Sequence, residues 1–110
     1  MKISIIIPTL DEEASIAAAI SSCAGDAVAE IIVVDGGSRD RTAALVGQSP
    51  ARLVTESPPG RARQMNAGAA EATEEVLLFL HADTLLPGGF DQAIVGALAD
   101  PAIVGGRFDI

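Results

Sequence analysis

The stretch Val76-Leu77-Leu78-Phe79-Leu80-His81-Ala82-Asp83-Thr84 decides how this chain folds. An unbroken apolar run with no polar alternation predicts a strand buried on both faces, the kind found inside parallel sheets. The run stops abruptly at a histidine and a carboxylate. A carboxylate fixed at a strand end is a hard oxygen ligand, suited to Mg²⁺ or Mn²⁺ shared with substrate phosphates.

Outward from that run, other segments repeat the pattern. Ile3 to Ile7 is a compact apolar run closed by Pro8, and Glu30 to Asp35 is another, followed by Gly36-Gly37. Arg52 to Thr55 is a shorter strand before the chain break at Pro58-Pro59-Gly60. Between them lie predicted helices: the alanine-rich Glu12 to Cys23, with Ile16 and Ile20 on one face, Arg39 to Val46 behind Ser38 as N-cap, Arg61 to Ala72, and about Phe90 to Ala99. Val104, Gly106, Phe108 and Ile110 alternate with Arg107 and Asp109 in a strand still in progress where the sequence stops.

Strands alternating with helices predict an α/β fold over residues 1–110: a three-layer α/β/α sandwich around an open, mainly parallel, Rossmann-like sheet. Ligands of such sheets bind outside the carboxyl ends of the strands. The polar residues gather there: Asp11 and Glu12 after the first strand, Asp35 to Asp40 after the second, Arg61 and Arg63 after the third, His81 and Asp83 after the fourth.

The bulk composition narrows the partners. The chain has 110 residues, 49% of them apolar, enough for one domain with a core. Fifteen acidic residues against seven basic ones give a formal charge of −8, which argues against nucleic acid or an anionic membrane surface. The single cysteine, Cys23, excludes an internal disulfide and reads as a buried, inert thiol. No stretch approaches the roughly 18 apolar residues of a membrane span, and Met1 to Ile7 is too short for a signal peptide. A cytoplasmic setting is expected.

Each polar cluster has a plain reading beside the functional one. Asp35-Gly36-Gly37-Ser38-Arg39-Asp40-Arg41-Thr42 is either an ordinary strand-to-helix turn or a ligand loop whose carboxylate takes base or ribose hydrogens and whose helix start offers N–H groups to an anion. It lacks both the Gly-x-Gly-x-x-Gly spacing and the P-loop ending. Acidic residues at Asp11 to Glu13 are either dipole partners of a helix or part of the same cleft. Arg61 and Arg63 oppose the dipole of the helix they begin, so local stability does not account for them. They read as phosphate forks or as a solvated pair. His81 is structural or a ligand, while Asp83 is the better metal ligand, because a carboxylate at a buried strand end needs a partner.

Taken together these segments resemble the nucleotide-sugar domain of family 2 glycosyltransferases, the GT-A fold. Ile6-Ile7-Pro8-Thr9-Leu10-Asp11-Glu12-Glu13 is similar to that family's Pro-Thr-x-Asn-Glu start, Val33 to Thr42 to its Val-Asp-Asp-Gly-Ser-x-Asp-x-Thr segment, and Leu78 to Asp83 to its Phe-Leu-Asp-Ala-Asp metal motif. Gly60 to Ala69, with His81 in the metal motif, resembles the subgroup associated with radical-SAM and selenium-domain proteins. The resemblance implies metal-dependent, inverting transfer from a UDP- or GDP-linked sugar to an unknown acceptor. It implies that Asp35 contacts the base, that Pro8, Thr9 and Glu12 line the nucleoside pocket, and that Asp83, with His81, holds the divalent metal. Gly37, Ser38, Arg61, Arg63, Asn66 and Ala82 complete the nucleotide-sugar set. Two positions depart from the pattern: Gly36 stands for the second Asp of Asp-Asp-Gly-Ser, and His81 for the first acid of Asp-Ala-Asp.

The family's general base lies beyond the metal motif, and no residue here qualifies for that role, Asp109 included. The expectation is therefore a donor-binding half whose unfinished last strand invites homodimerisation. The alternatives are a non-catalytic nucleotide-binding module and a nucleotidyltransferase-like enzyme. Against the latter stands the lack of a Gly-rich, Lys-containing loop after the first strand.

Overall fold

The computed structural model describes residues 1–99 and the backbone of Arg107–Asp109. The elements run β1 (Ile3–Thr9), α1 (Ile16–Ser22), β2 (Val28–Asp35), α2 (Thr42–Gly47), β3 (Arg52–Thr55), α3 (Arg61–Glu71), β4 (Val76–Phe79), α4 (Phe90–Leu98) and β5 (Arg107–Asp109). The strands form one sheet in the order β3-β2-β1-β4-β5, and every neighbouring pair is parallel.

Period-two alternation in β1 explains the layers. Ile3, Ile5 and Ile7 face one side and pack with Ile16 and Ile20 of α1, Val46 of α2 and Phe90 of α4. Ile6 faces the other side with Ile32, Val34 and Phe79, covered by Met65, Ala67 and Ala69 of α3. Both faces are apolar because both are covered, as parallel sheets require. Pro8 does not end β1 as the sequence suggested. In a parallel strand alternate residues bond to opposite neighbours, and Ile6 accepts from Leu80 on the β4 side. Pro8 turns to that same side, beyond the last β1–β4 pair at Ile6 and Phe79, where its missing N–H costs nothing.

Two helices start later than expected. The N–H groups of Glu12 and Glu13 donate to Thr42 Oγ1 and Asp40 Oδ2, so this segment bends toward α2 before α1 begins at Ile16. Ser38 is not the N-cap of α2, which begins at Thr42, because the Ser38 hydroxyl donates to Asp35 instead. Cys23 is buried as expected, and burial pushes its thiol up to about 12. The described residues contain no helix long and apolar enough to cross a membrane. Of the alternating C-terminal segment, only the backbone of Arg107–Asp109 is described. The side chains on which self-association was expected lie outside the described residues.

α3 can lie close to the sheet because of Gly68. A Cβ there would meet Ile6 Cγ2 at 2.4 Å and Val34 Cγ2 at 3.0 Å, whereas one at Gly96 in α4 meets nothing within 4 Å. Gly68→Ala is expected to lower stability by about 1–3 kcal/mol through overpacking. Gly96→Ala should raise it by about 0.5–1 kcal/mol through helix propensity. Urea midpoints of the two variants moving in the same direction would contradict this packing.

Candidate functional site

A cavity of about 420 Å³ opens at the carboxyl ends of β1 and β4. β1 contributes Pro8 and Thr9 and its loop Leu10 and Glu12, the start of α3 contributes Pro59, Gly60, Arg61 and Gln64, and the end of β4 contributes His81, Ala82 and Asp83. β1 and β4 are neighbours in the sheet, yet the chain travels from β1 out to β3 before returning to β4. That reversal is where loops on the two sides part and leave a crevice. A second cavity, about 380 Å³ between α1 and α2, carries no ionisable side chain among Ala17, Ile20, Leu45, Pro50 and their neighbours, and so offers no chemistry.

A side chain outside the expected site residues organises the floor of the first cavity. Gln64 is buried, and its Nε2 donates to Thr9 O at 2.9 Å and to Val34 O at 2.8 Å. Its Oε1 accepts from Gly60 N at 3.0 Å. One amide therefore joins the tips of β1 and β2 to the first turn of α3. The departure at Gly36 follows from it: a Cβ at position 36 would stand 2.8 Å from Pro59 Cβ and 2.9 Å from Gln64 Oε1. No aspartate fits where these two residues already sit. The signal available in the sequence was the spacing of Gln64 and Gly68, which share the buried face of α3.

The loops after β1 and β2 are laced together by reciprocal hydrogen bonds. Asp11 N donates to Ser38 Oγ at 2.8 Å, and Arg39 N donates back to Asp11 Oδ1 at 2.8 Å. Glu13 N donates to Asp40 Oδ2 and Arg41 N to Glu13 Oε2, both at 3.2 Å. Asp11 adopts φ 52°, a left-handed conformation that aspartate tolerates better than most residues. The N–H groups of Arg39 and Arg41, in the segment expected to offer N–H groups to an anion, are thus bonded to carboxylates of this chain.

The structure divides the expected nucleotide-sugar residues. Pro8, Thr9, Glu12, Arg61 and Ala82 line the cavity, as do His81 and Asp83. Gly37, Ser38, Arg63 and Asn66 do not. Arg63 is exposed and donates to Pro58 O at 3.2 Å, and Asn66 is on the exposed side of α3. Asp35 sits behind the cavity wall, 4% exposed, and accepts from the N–H groups of Gly37 and Ser38 at 3.0 and 2.8 Å and from the Ser38 hydroxyl. Thr9 Oγ1 lies 3.4 Å from the same carboxylate. A base contact by Asp35 would share oxygens already bonded within the loop.

His81 and Asp83 stand not on an extended segment, as their spacing suggested, but in a tight turn closed by Thr84 N donating to His81 O at 3.0 Å. Both are exposed and still face one cavity. Arg61 Nη1 lies 3.0 Å from His81 Nδ1. Among the described residues no group of three or more His, Cys, Asp or Glu side chains is placed to hold a metal ion. The carboxylates that line the cavity are Glu12 and Asp83, and a hard cation bound by so few protein ligands would be completed by substrate phosphate and water, which is how Mg²⁺ and its relatives usually bind.

Gln64→Ala is expected to cost about 1–3 kcal/mol, because Gly60 N loses its acceptor and the Thr9 and Val34 carbonyls each lose one of their donors, whereas the exposed Gln48→Ala should change stability by no more than about 0.5 kcal/mol. Equal effects would remove Gln64 from this role. The Thr42 hydroxyl, with the N–H groups of Thr42 and Glu13, holds the Asp40 carboxyl below the usual aspartate range. The folded value lies beneath the unfolded one, about 3.9, so the stabilisation is present above that pH and is lost as pH falls through the folded value. Acid titration of Asp40→Asn, followed by circular dichroism, should show a shallower loss of stability below about pH 4 than the parent chain.

Comparison with known proteins agrees with this geometry. The family model described as glycosyl transferase family 2 matches residues 4–110. A glycosyltransferase of Mycobacterium tuberculosis is 30% identical over 106 residues, covering 96% of this chain and 48% of the relative. One of Nostoc sp. is 34% identical over 113 residues, covering 96% and 35%. The chain thus spans about half the length, or less, of the curated relatives it matches. Among solved structures, glucosyl-3-phosphoglycerate synthase from M. tuberculosis in complex with Mn²⁺, UDP-glucose and glycerol 3-phosphate superposes with a TM-score of 0.78 at 30% identity, covering 91% of this chain and 40% of that one. The same enzyme with Mn²⁺, UDP and glucosyl-3-phosphoglycerate gives 0.73 at 29% identity, covering 94% and 40%. With its parallel α/β sheet and matching motif order, this chain belongs to glycosyl transferase family 2.

Proposed function

We propose that this chain forms the donor-binding part of a metal-dependent, inverting glycosyltransferase that uses a UDP-linked sugar. One observation carries the reading: a single cavity at the sheet's reversal point brings the Pro8–Glu12 loop, the arginine at the start of α3 and the His81–Asp83 turn together. The UDP-glucose and Mn²⁺ named with the glucosyl-3-phosphoglycerate synthase structures support a uridine donor over a guanosine one. Gly60 to Ala69 and His81 favour the subgroup associated with radical-SAM and selenium-domain proteins.

In this reading the loop from Pro8 to Glu12 forms the wall for the nucleoside, with Gln64 beneath it keeping the strand tips in register. Asp35 acts through the wall, holding the Gly37–Ser38 turn and Thr9 in place. Arg61 places positive charge where the diphosphate leaves, on the sugar's departure side. Asp83 holds the divalent cation, which when bound would neutralise charge growing on the departing diphosphate, a Lewis-acid effect worth several kcal/mol. The guanidinium of Arg61, held beside His81, adds to it without reorganising during reaction.

The test is calorimetric titration of UDP-glucose into the chain with and without Mn²⁺. Mn²⁺ should tighten binding roughly tenfold or more, about 1.4 kcal/mol per decade, and Asp83→Ala should abolish that gain while leaving the fold intact by circular dichroism. Equal affinity in all four conditions would end the proposal that Asp83 holds the metal.

A further inference from the structure

We propose that Arg61 and His81 form a clamp for the donor's diphosphate that works without the metal, with His81 giving an N–H to a phosphate oxygen rather than a lone pair to the cation. The inference rests on the functional reading above and deepens it.

The argument starts from what arginine can do. A guanidinium has donors only. At 3.0 Å from Arg61 Nη1, His81 Nδ1 must therefore be the acceptor. A neutral imidazole has one N–H and one lone pair, so an Nδ1 that accepts leaves the hydrogen on Nε2. An Nε2 that carries a hydrogen has no lone pair to offer a cation. It has instead what a phosphate oxygen takes.

Position agrees with that chemistry. Arg61 comes from the start of α3 and His81 from the end of β4, and both line the cavity that Asp83 also lines. The His81 carbonyl is held by Thr84 N at 3.0 Å, so the ring is carried on a closed turn. The guanidinium in turn steers the ring. The pair also accounts for the departure from the Asp-x-Asp pattern. An acid in place of His81 would pair with Arg61 and cancel its charge, whereas a neutral imidazole accepts a hydrogen bond from the guanidinium and leaves the positive charge at the mouth of the cavity. In a chain of formal charge −8, a site for a diphosphate that gains negative charge as it leaves needs that charge.

The test uses the fact that His81 is the sole histidine of the chain. Long-range ¹H–¹⁵N spectra at about pH 8, where an ordinary imidazole is neutral, should show an unprotonated Nδ1 and a protonated Nε2. Arg61→Ala should erode that tautomer preference. Calorimetry in EDTA should show UDP and inorganic pyrophosphate binding roughly tenfold more weakly to Arg61→Ala and to His81→Ala, about 1.4 kcal/mol, with uridine unchanged. His81→Gln, which keeps an N–H at the same reach, should retain most of the affinity, and Asp83→Ala should bind as the parent chain does. Mn²⁺ affinity of the UDP complex, read by electron paramagnetic resonance, should fall in Asp83→Ala and persist in His81→Ala. The proposal is overturned if His81→Ala weakens Mn²⁺ as Asp83→Ala does, if the opposite tautomer is found, or if only uridine affinity changes. UDP binding that ignores both residues overturns the clamp alone. No binding of UDP by the parent chain, with or without Mn²⁺, overturns the functional reading together with the clamp.

Discussion

The buried amide of Gln64 is the contact on which the geometry of the site depends. Carbonyls at the covered ends of parallel strands have two acceptor sites to fill, and here Thr9 O accepts from Gly36 N while Val34 O accepts from the Thr9 hydroxyl. Gln64 adds a further donor to each of these carbonyls and closes the first turn of α3 with its oxygen. The helix start is thereby fixed relative to two strand tips at once. Arg61 stands on that turn, so the position of the site's cation is set by an uncharged residue beneath it. Glycine at position 36 is the steric counterpart, leaving room for Pro59 and for the amide.

Hydrogen-bond accounting also decides which side of the crevice is ready for an anion. Around β2 and α2 the loop N–H groups are consumed by Asp11, Glu13, Asp35 and Asp40. That network braces the Pro8–Glu12 wall from outside the cavity and leaves its own N–H groups satisfied. Across the crevice, Arg61 and the beginning of α3 face the turn that carries Asp83. The asymmetry suits a nucleotide whose nucleoside lies against a rigid wall and whose phosphates lie between cation and arginine, the division of labour proposed for this member of glycosyl transferase family 2.

The two departures from the family pattern have different causes. At Gly36 the reason is volume, since Pro59 and Gln64 already occupy the space beside it. At His81 the reason is chemistry, because the ring meets a guanidinium across the cavity mouth. Neither can be weighed from the position alone, since each depends on a partner from another element that lies many residues away along the chain.

Much of this protein was legible in its sequence because buried parallel strands leave a coarse signature. Apolar runs at Ile3–Ile7, Glu30–Asp35 and Val76–Leu80, each ending in polar residues, determined an α/β sheet with its ligand edge at the carboxyl ends, and the motif order determined the family. Cavity residues that directly follow those strands, such as Glu12, His81 and Asp83, were found for the same reason. What only the tertiary structure decided depends on groups meeting from distant segments. The late starts of α1 and α2, the loss of Ser38 as a cap, the turning of Asn66 and Arg63 away from the cavity, and the roles of Gln64 and of the Arg61–His81 pair all follow from which hydrogen bond wins. A donor chooses among acceptors by distance and burial, and those exist only once the sheet has brought the loops together.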